Sequence, residues 1–479
     1  MTAEPVEAGR HARARAGHAA FDHRTMPRQP HGRSPAASRM AWLAAGLVAF
    51  LLLAPSAQAD EHGASRDLKG HGGPVRAIVI SPDGAQALTA SFDYSVIHWQ
   101  LSPAPGIASR FLYHDGPVND VALVPGSRLA VAGSDDKTVG VFDLDTGEPV
   151  GRLQGHSQKV VAVAASPDGA MAASAAWDHT ARLWDLHALA PGPVLDGHDG
   201  NVNDVLFSDD GTTVFTAGYD GTIRQWRVDD GSERLVYSHG WGINAVHPAP
   251  DGTALLFGAT DGTAGLVDIA SGAVRRLVER DEPILSIAVS PDGLVAAIGG
   301  AKGSIDVFDA GSWRRLNQFE NPYGPIWALA IAADGNGLYF AGLDDDVHYW
   351  QFRPGRDFEP AIGDYPRRFQ LRDGLDPGER QFARKCSVCH TLTPDGANRA
   401  GPTLYRLFGR RAGSLENYPY SGALQRSDIV WTSETLGELF AQGPEHYVPG
   451  SKMPLQMMAE TRDLEALIAF LQRATEPRE

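Results

Sequence analysis

The chain has 479 residues, too many for a single hydrophobic core and enough for two or three domains. Hydrophobic residues make up 43% and charged residues 21%, which excludes a wholly disordered chain, and the net charge of −16 argues against nucleic acid as a partner. Only two cysteines occur, so no disulfide framework holds the fold together.

Residues 41–55 form an uncharged apolar run, followed by Ser56-Ala57-Gln58-Ala59 and then Asp60. The run is short for a bilayer span, and Arg24, Arg28, Arg33 and Arg39 precede it. It reads as a secretory signal peptide cleaved after Ala59, which predicts a periplasmic protein; an uncleaved N-terminal membrane anchor is the alternative. A start at Met26 would give a more ordinary leader than Met1. Residues 1–59 are therefore taken as an N-terminal extension and signal peptide outside the fold. Their first 39 residues carry seven Arg against three acidic groups, and removing that +4 from −16 leaves −20. Residues 364–479 hold 15 basic and 15 acidic residues, so the acidic surplus lies in the middle of the chain. Such a surface steers basic partners and is sensitive to salt.

The middle repeats itself. Val75, Val118, Val160, Val202, Ile243, Ile284 and Ile326 open similar segments at intervals of 43, 42, 42, 41, 41 and 42 residues. Turns follow at a fixed offset, among them Ser81-Pro82-Asp83-Gly84, Ser166-Pro167-Asp168-Gly169 and Ser290-Pro291-Asp292-Gly293. An Asp-Gly pair between short apolar runs is a hairpin signal, because glycine accepts positive φ cheaply. A period near 42 residues fits one propeller blade of three or four strands. His71, Asp93 and Trp99 recur as His156, Asp178 and Trp184 and as His198, Asp220 and Trp226; Asp344 and Trp350 keep the same interval.

On these residues, 65–353 resembles the WD-repeat propellers, an all-β fold, with seven blades. The resemblance implies that His, Asp and Trp clamp the strands of a blade through hydrogen bonds. Phe142, Val267 and Phe308 replace Trp, which predicts incomplete networks there. Arg66-Asp67-Leu68-Lys69 precedes the first repeat as an outer strand would, and is expected to pair with the last blade and close the ring. The repeat histidines read as structural rather than as metal ligands, while His98 and His348 are expected to face solvent. No His-x-His or carboxylate cluster at ligand spacing occurs. The propeller is expected to be a rigid surface for protein–protein docking.

Residues 354–373 read as a linker. Asp376 is then an N-cap, with Pro377 at the first helical position and Glu379 early, of a helix that runs into Cys386-Ser387-Val388-Cys389-His390. Cys-x-x-Cys-His is the attachment motif of c-type haem: two thiols reach the vinyl groups and the histidine presents imidazole to iron. A zinc site would need a second ligand pair, and a dithiol redox motif would not need His390.

Residues 374–476 resemble class I, mitochondrial-type cytochromes c, which are small all-α domains. The likeness rests on Gly401-Pro402-Thr403-Leu404, on Leu407 to Gly413, on Tyr418-Pro419-Tyr420, on Ile429-Val430-Trp431 and on Tyr447 to Pro454. It implies one covalent haem c with His390 and Met453 on iron, and the Pro402 carbonyl on the imidazole N–H. It also implies Arg410, Tyr420 and Trp431 as donors near a propionate. Met457 and Met458 compete with Met453 on paper but are expected to be packing residues. In the last helix, from Thr461, Leu467 and Phe470 share a face expected to cross the first helix near Gly378 and Phe382.

Two departures stand out. Leu424 and Leu439 occupy places where relatives often carry an amide and a tyrosine, and only Lys385 and Lys452 are available for lysine-mediated docking. The expected function is an exported electron carrier rather than a catalyst, with redox donor and acceptor proteins, such as a membrane-bound respiratory enzyme, as partners. The alternatives are a haem-containing oxidoreductase subunit whose propeller holds a substrate or second cofactor, and a redox-sensing interaction scaffold.

Overall fold

The computed structural model describes residues 66–322, 324–354, 374–387, 389–394, 401–416, 418, 420–451, 453, 458 and 460–476. The expected signal peptide and nearly all of the expected linker lie outside these residues. Among the described residues no helix is long and apolar enough to cross a membrane.

The described residues between Leu68 and Gln351 form seven antiparallel four-stranded sheets, one per repeat. The first blade comprises β2 (Val75–Ile80), β3 (Gln86–Ser91), β4 (Val96–Gln100) and β5 (Gly106–Phe111). Burial falls outward: β3 is buried from Ala87 to Ser91, whereas the first three residues of β5 are exposed. The Ser-Pro-Asp-Gly turns work as their residues suggest. Asp83 accepts hydrogen bonds from the Ser81 hydroxyl at 2.5 Å and the Ala85 amide at 3.0 Å, while Gly84 takes a φ of +69°.

A bulge follows the first residue of the inner strand in six blades. It turns the next side chain toward the neighbouring blade. Asn119, Asn203 and Asn244 thereby donate to the carbonyls of Val160, Ile243 and Ile284, at 2.8, 3.0 and 2.8 Å. These bonds tie blade to blade around the axis.

The ring closes as the sequence leads one to expect. β1 (Leu68–Lys69) pairs with the last blade, Leu68 against Val347 and Lys69 against Asp346. Asp67 accepts from the Tyr349 amide at 2.9 Å, and Arg66 lies over the Tyr349 ring.

The repeat residues form a relay within each well-kept blade. In the fourth, Trp226 Nε1 donates to Thr216 Oγ1 at 2.8 Å, Thr216 lies 2.7 Å from His198 Nε2, and His198 Nδ1 lies 2.9 Å from Asp220. Thr89 and Ser174 serve the first and third blades in the same way. The second blade has Ala132 and Phe142 instead, and there the buried His114 Nε2 finds no partner. In the sixth, Glu282 accepts from Ser304 at 2.5 Å in place of the usual pair.

His98 and His348 correct an expectation: both are buried rather than solvent-facing. His98 contacts Gln86 and His348 contacts Asp344. Neighbouring sheets cover both faces of the third strand in a blade, so alternation along it does not signal exposure.

Five helices make up the described part of the C-terminal domain: α1 (Pro377–Lys385), α2 (Gly422–Gln425), α3 (Ser433–Gln442), α4 (Pro444–Tyr447) and α5 (Thr461–Thr475). Asp376 caps α1 by accepting from Gly378 at 2.9 Å and Glu379 at 3.3 Å. Gly378 is where α1 meets α5, since a Cβ there would lie 2.0 Å from the Ala466 carbonyl oxygen. Phe382 packs on Phe470 with ring centroids 5.6 Å apart. Leu436, Leu439, Phe440, Leu467 and Leu471 complete the core.

Candidate haem site

The C-terminal end of α1 delivers the attachment motif. Cys386 donates its amide to the Phe382 carbonyl, and His390 continues the turn by donating to Cys386 at 2.9 Å. Cys386 is buried and Cys389 half-buried. Both face a cavity of about 460 Å³ that His390, Pro402, Arg410, Tyr420, Trp431 and Met453 also line. The structure thus brings every residue singled out for haem into one space.

His390 Nδ1 lies 2.7 Å from the Pro402 carbonyl oxygen. Since a carbonyl only accepts, the proton sits on Nδ1 and Nε2 is left with its lone pair, the form that binds iron. The Pro402 segment is held in place by two backbone bonds, Gly401 to Cys389 and Leu404 to Thr391, each 2.8 Å. A Cβ at Gly401 would lie 2.3 Å from His390 Cε1, so glycine is what lets the chain pass beneath the ring.

Burial pushes the Cys386 thiol up to about 12, with Cys389 adding to the shift and Lys385 opposing it. A thiol kept protonated is a poor metal ligand. Among the described residues no three of His, Cys, Asp and Glu cluster as a metal site. Two cysteines and a tautomer-fixed histidine on one apolar cavity therefore fit covalent haem and do not fit zinc.

Arg410 spends two guanidinium N–H groups on the chain itself, donating to the Tyr405 carbonyl at 2.9 Å and the Thr403 carbonyl at 2.7 Å. Burial lowers its pKa against an opposing effect from Tyr420, whose own phenol burial raises. Trp431 is tied to Arg410 through the backbone, with Gly409 donating to Trp431 and Trp431 donating to Arg410, both at 2.9 Å. Leu424 and Leu439 both line the cavity, giving that part an apolar surface. Met453 is half-buried against the helical core, and Met458 is buried within it. Met457 lies outside the described residues.

Sequence reasoning missed one side of this cavity altogether. Phe92, Tyr94, Leu112 and Trp327, all from the propeller, line it too. These positions lie outside the His, Asp and Trp pattern of the repeat, and no sequence spacing links them to Cys389.

Comparison with known proteins agrees with both halves. The WD domain, G-beta repeat model matches residues 64–100, 108–143, 147–185 and 190–227, and the cytochrome c model matches 375–475. The WD matches end at Arg227, before the blades that lack the repeat Trp at positions 267 and 308. Cytochrome c of Gibberella zeae is 38% identical over 101 residues, covering 94% of that protein and 21% of this chain. Cytochrome c of Stellaria longipes is 39% identical over 98 residues, covering 90% of that protein and 20% of this chain. That of Arabidopsis thaliana is 37% identical over 105 residues, covering 93% and 22% respectively. The chain belongs to the cytochrome c family through its C-terminal domain, which carries covalent haem c, and it joins that domain to a seven-bladed WD-repeat propeller.

Proposed function

We propose that this protein is an exported carrier of single electrons whose propeller docks it to redox partners. The reading rests on His390, fixed through Nδ1 by Pro402 in a cavity that also takes the Met453 side chain. Haem iron supplies a one-electron couple. With His390 and Met453 holding the iron, no position would be left for substrate, and a thioether paired with an imidazole would favour the reduced state relative to two imidazoles. Leu404, Leu407, Leu439 and Phe440 give the cavity an apolar lining.

The propeller supports docking by what it exposes. Trp177 and Tyr219 occupy in the third and fourth blades the turn position that Phe92 holds in the first, and they are 42% and 63% exposed. Trp241 is also 63% exposed. Exposed aromatic groups on a propeller with an acidic surplus suit a protein partner with basic residues at its rim, such as a membrane-bound respiratory enzyme acting as donor or acceptor. Cleavage after Ala59 places the protein in the periplasm, where haem is attached after translocation.

The test is spectroscopic. The reduced full-length protein should keep its visible spectrum under carbon monoxide, and Met453→Ala should lower the potential and admit the gas. Ready binding of carbon monoxide by the unsubstituted protein would rule out the carrier reading. Sequencing the N-terminus of periplasmic protein should begin at Asp60.

A further inference from the structure

The cavity that holds Cys386, Cys389 and His390 is bounded on one side by the propeller. Phe92 and Trp327 stand side by side there, ring centroids 6.0 Å apart. Behind them lies the Arg76 guanidinium, 4.8 Å from the Trp327 ring and 5.9 Å from that of Phe92. Its Nε is buried without a hydrogen-bond partner, and among the described residues Arg76 forms no ion pair. Asp135 and Asp120 are the acidic groups that act on it, from beyond ion-pair distance.

Tyr94 adds an independent observation. Its φ is +69°; at the same turn position the second and third blades carry Lys137 at +73° and His179 at +71°, and three other blades carry Gly221, Gly262 and Gly303. Side chains are disfavoured in this left-handed region, and of Tyr94, Lys137 and His179 it is Tyr94 that stands among the cavity-lining residues. Tyr94 lines the haem cavity, and burial followed by proximity to Cys389 raises its phenol pKa.

We propose that the propeller is a working wall of the haem site: Phe92, Tyr94 and Trp327 close the open side of the cavity, and Arg76 behind them biases the haem toward the reduced state. Oxidation adds one positive charge within the cavity. Asp93 and Arg110 also line this side, paired with each other at 3.6 Å, and Asp93 pairs with His71 at 3.0 Å; the aromatic part of the wall disfavours the added charge and the sheltered Arg76 guanidinium repels it. Both effects raise the reduction potential. The same wall bars soluble reagents from that edge, so exchange through it passes by way of the propeller.

The inference rests on the electron-carrier reading, and its test separates the two. In the full-length holoprotein, Arg76→Gln should lower the midpoint potential with the visible spectrum unchanged. The shift should persist at high salt because the charge is buried. Tyr94→Gly, which puts in the residue other blades use, should keep the parent's urea midpoint and be reduced by ascorbate several-fold faster. Trp327→Leu should do both in part. Potentials and ascorbate rates equal to the parent's in Arg76→Gln and Tyr94→Gly overturn the wall. A haem that binds carbon monoxide instead sinks the carrier reading and leaves these shifts measurable.

Discussion

Thr216→Val tests the relay that holds the fourth blade. With a proton on His198 Nδ1 and Nε2 accepting, a single chain of donors runs from Trp226 through the Thr216 hydroxyl and His198 to Asp220. Valine keeps the shape and removes the hydroxyl, leaving the Trp226 N–H and the His198 Nε2 unpartnered in the core. Each orphaned group costs about 1–3 kcal/mol, so a loss of roughly 3 kcal/mol is expected. For a domain of this size that lowers Tm by about 6–10 °C. The second blade supplies the mirror experiment, because His114 Nε2 is already an orphan facing Ala132 and Phe142. Ala132→Ser offers it a hydroxyl and should gain about 1 kcal/mol. Urea unfolding followed by tryptophan fluorescence reads both. If Thr216→Val falls within about 0.5 kcal/mol of the parent, internal water satisfies those groups and the relay is not what stabilises the blade.

Gly378→Ala places a Cβ 2.0 Å from the Ala466 carbonyl oxygen and 2.6 Å from Phe470 Cβ, so α1 and α5 must part. A loss of about 3 kcal/mol and poor haem incorporation are expected, read by calorimetry and by the haem-to-protein absorbance ratio. Asp120 and Asp204 sit on the inner strands of the second and fourth blades and accept the Val163 and Val246 amides of the next blade, each at 2.8 Å; burial raises both to about 7, the charge of Asp120 adds to the shift of Asp204, and backbone N–H bonds and, for Asp120, Arg76 oppose it. A raised carboxylate leaves stability intact below about pH 4 and erodes it as pH climbs toward 7. Asn at each position should therefore stabilise by about 1–2 kcal/mol at pH 8 and by nothing at pH 4, a shift of this size being discounted because both residues are only half-buried overall. Asp93 runs the other way: burial would raise it, but His71 and its hydrogen bonds hold it at about 2. The stability it contributes should be present above pH 4 and vanish as pH falls toward 2, measurable as an acid-unfolding midpoint that rises in Asp93→Asn.

Much of this was legible in the sequence because it repeats or matches a dense local motif. Seven β-branched residues at near-constant spacing announce seven blades, and the segment at Leu68 announces its own closing partner. Cys386, Cys389 and His390 are five residues long as a signal, and Gly378 foretells the helix crossing because only a small residue suits it. What stayed hidden depends on contacts between distant segments. The burial of His98 and His348 follows from neighbouring blades that lie far away in sequence. Arg76 looks like one polar residue on an inner strand until the bulge beside it turns the side chain toward Trp327, more than two hundred residues away. Phe92 and Tyr94 occupy a turn whose residues change from blade to blade, so the pattern that identifies the fold is silent about them.

The join between the two domains divides electrostatic work in a way salt can separate. The acidic surplus belongs to the propeller, while residues 364–479 balance 15 basic against 15 acidic groups. A partner therefore meets the propeller's field first, and that field fades beyond about 8 Å at physiological ionic strength. Exchange rates with a basic partner should fall steeply as salt rises. The charge that acts on the haem from within, at Arg76, lies behind Phe92 and Trp327 and is screened far less. Raising salt should slow delivery while leaving the potential in place, which is the behaviour expected when one domain both recruits the partner and walls the haem. If rate and potential instead move together with salt, the haem edge is open to solvent and the propeller only recruits.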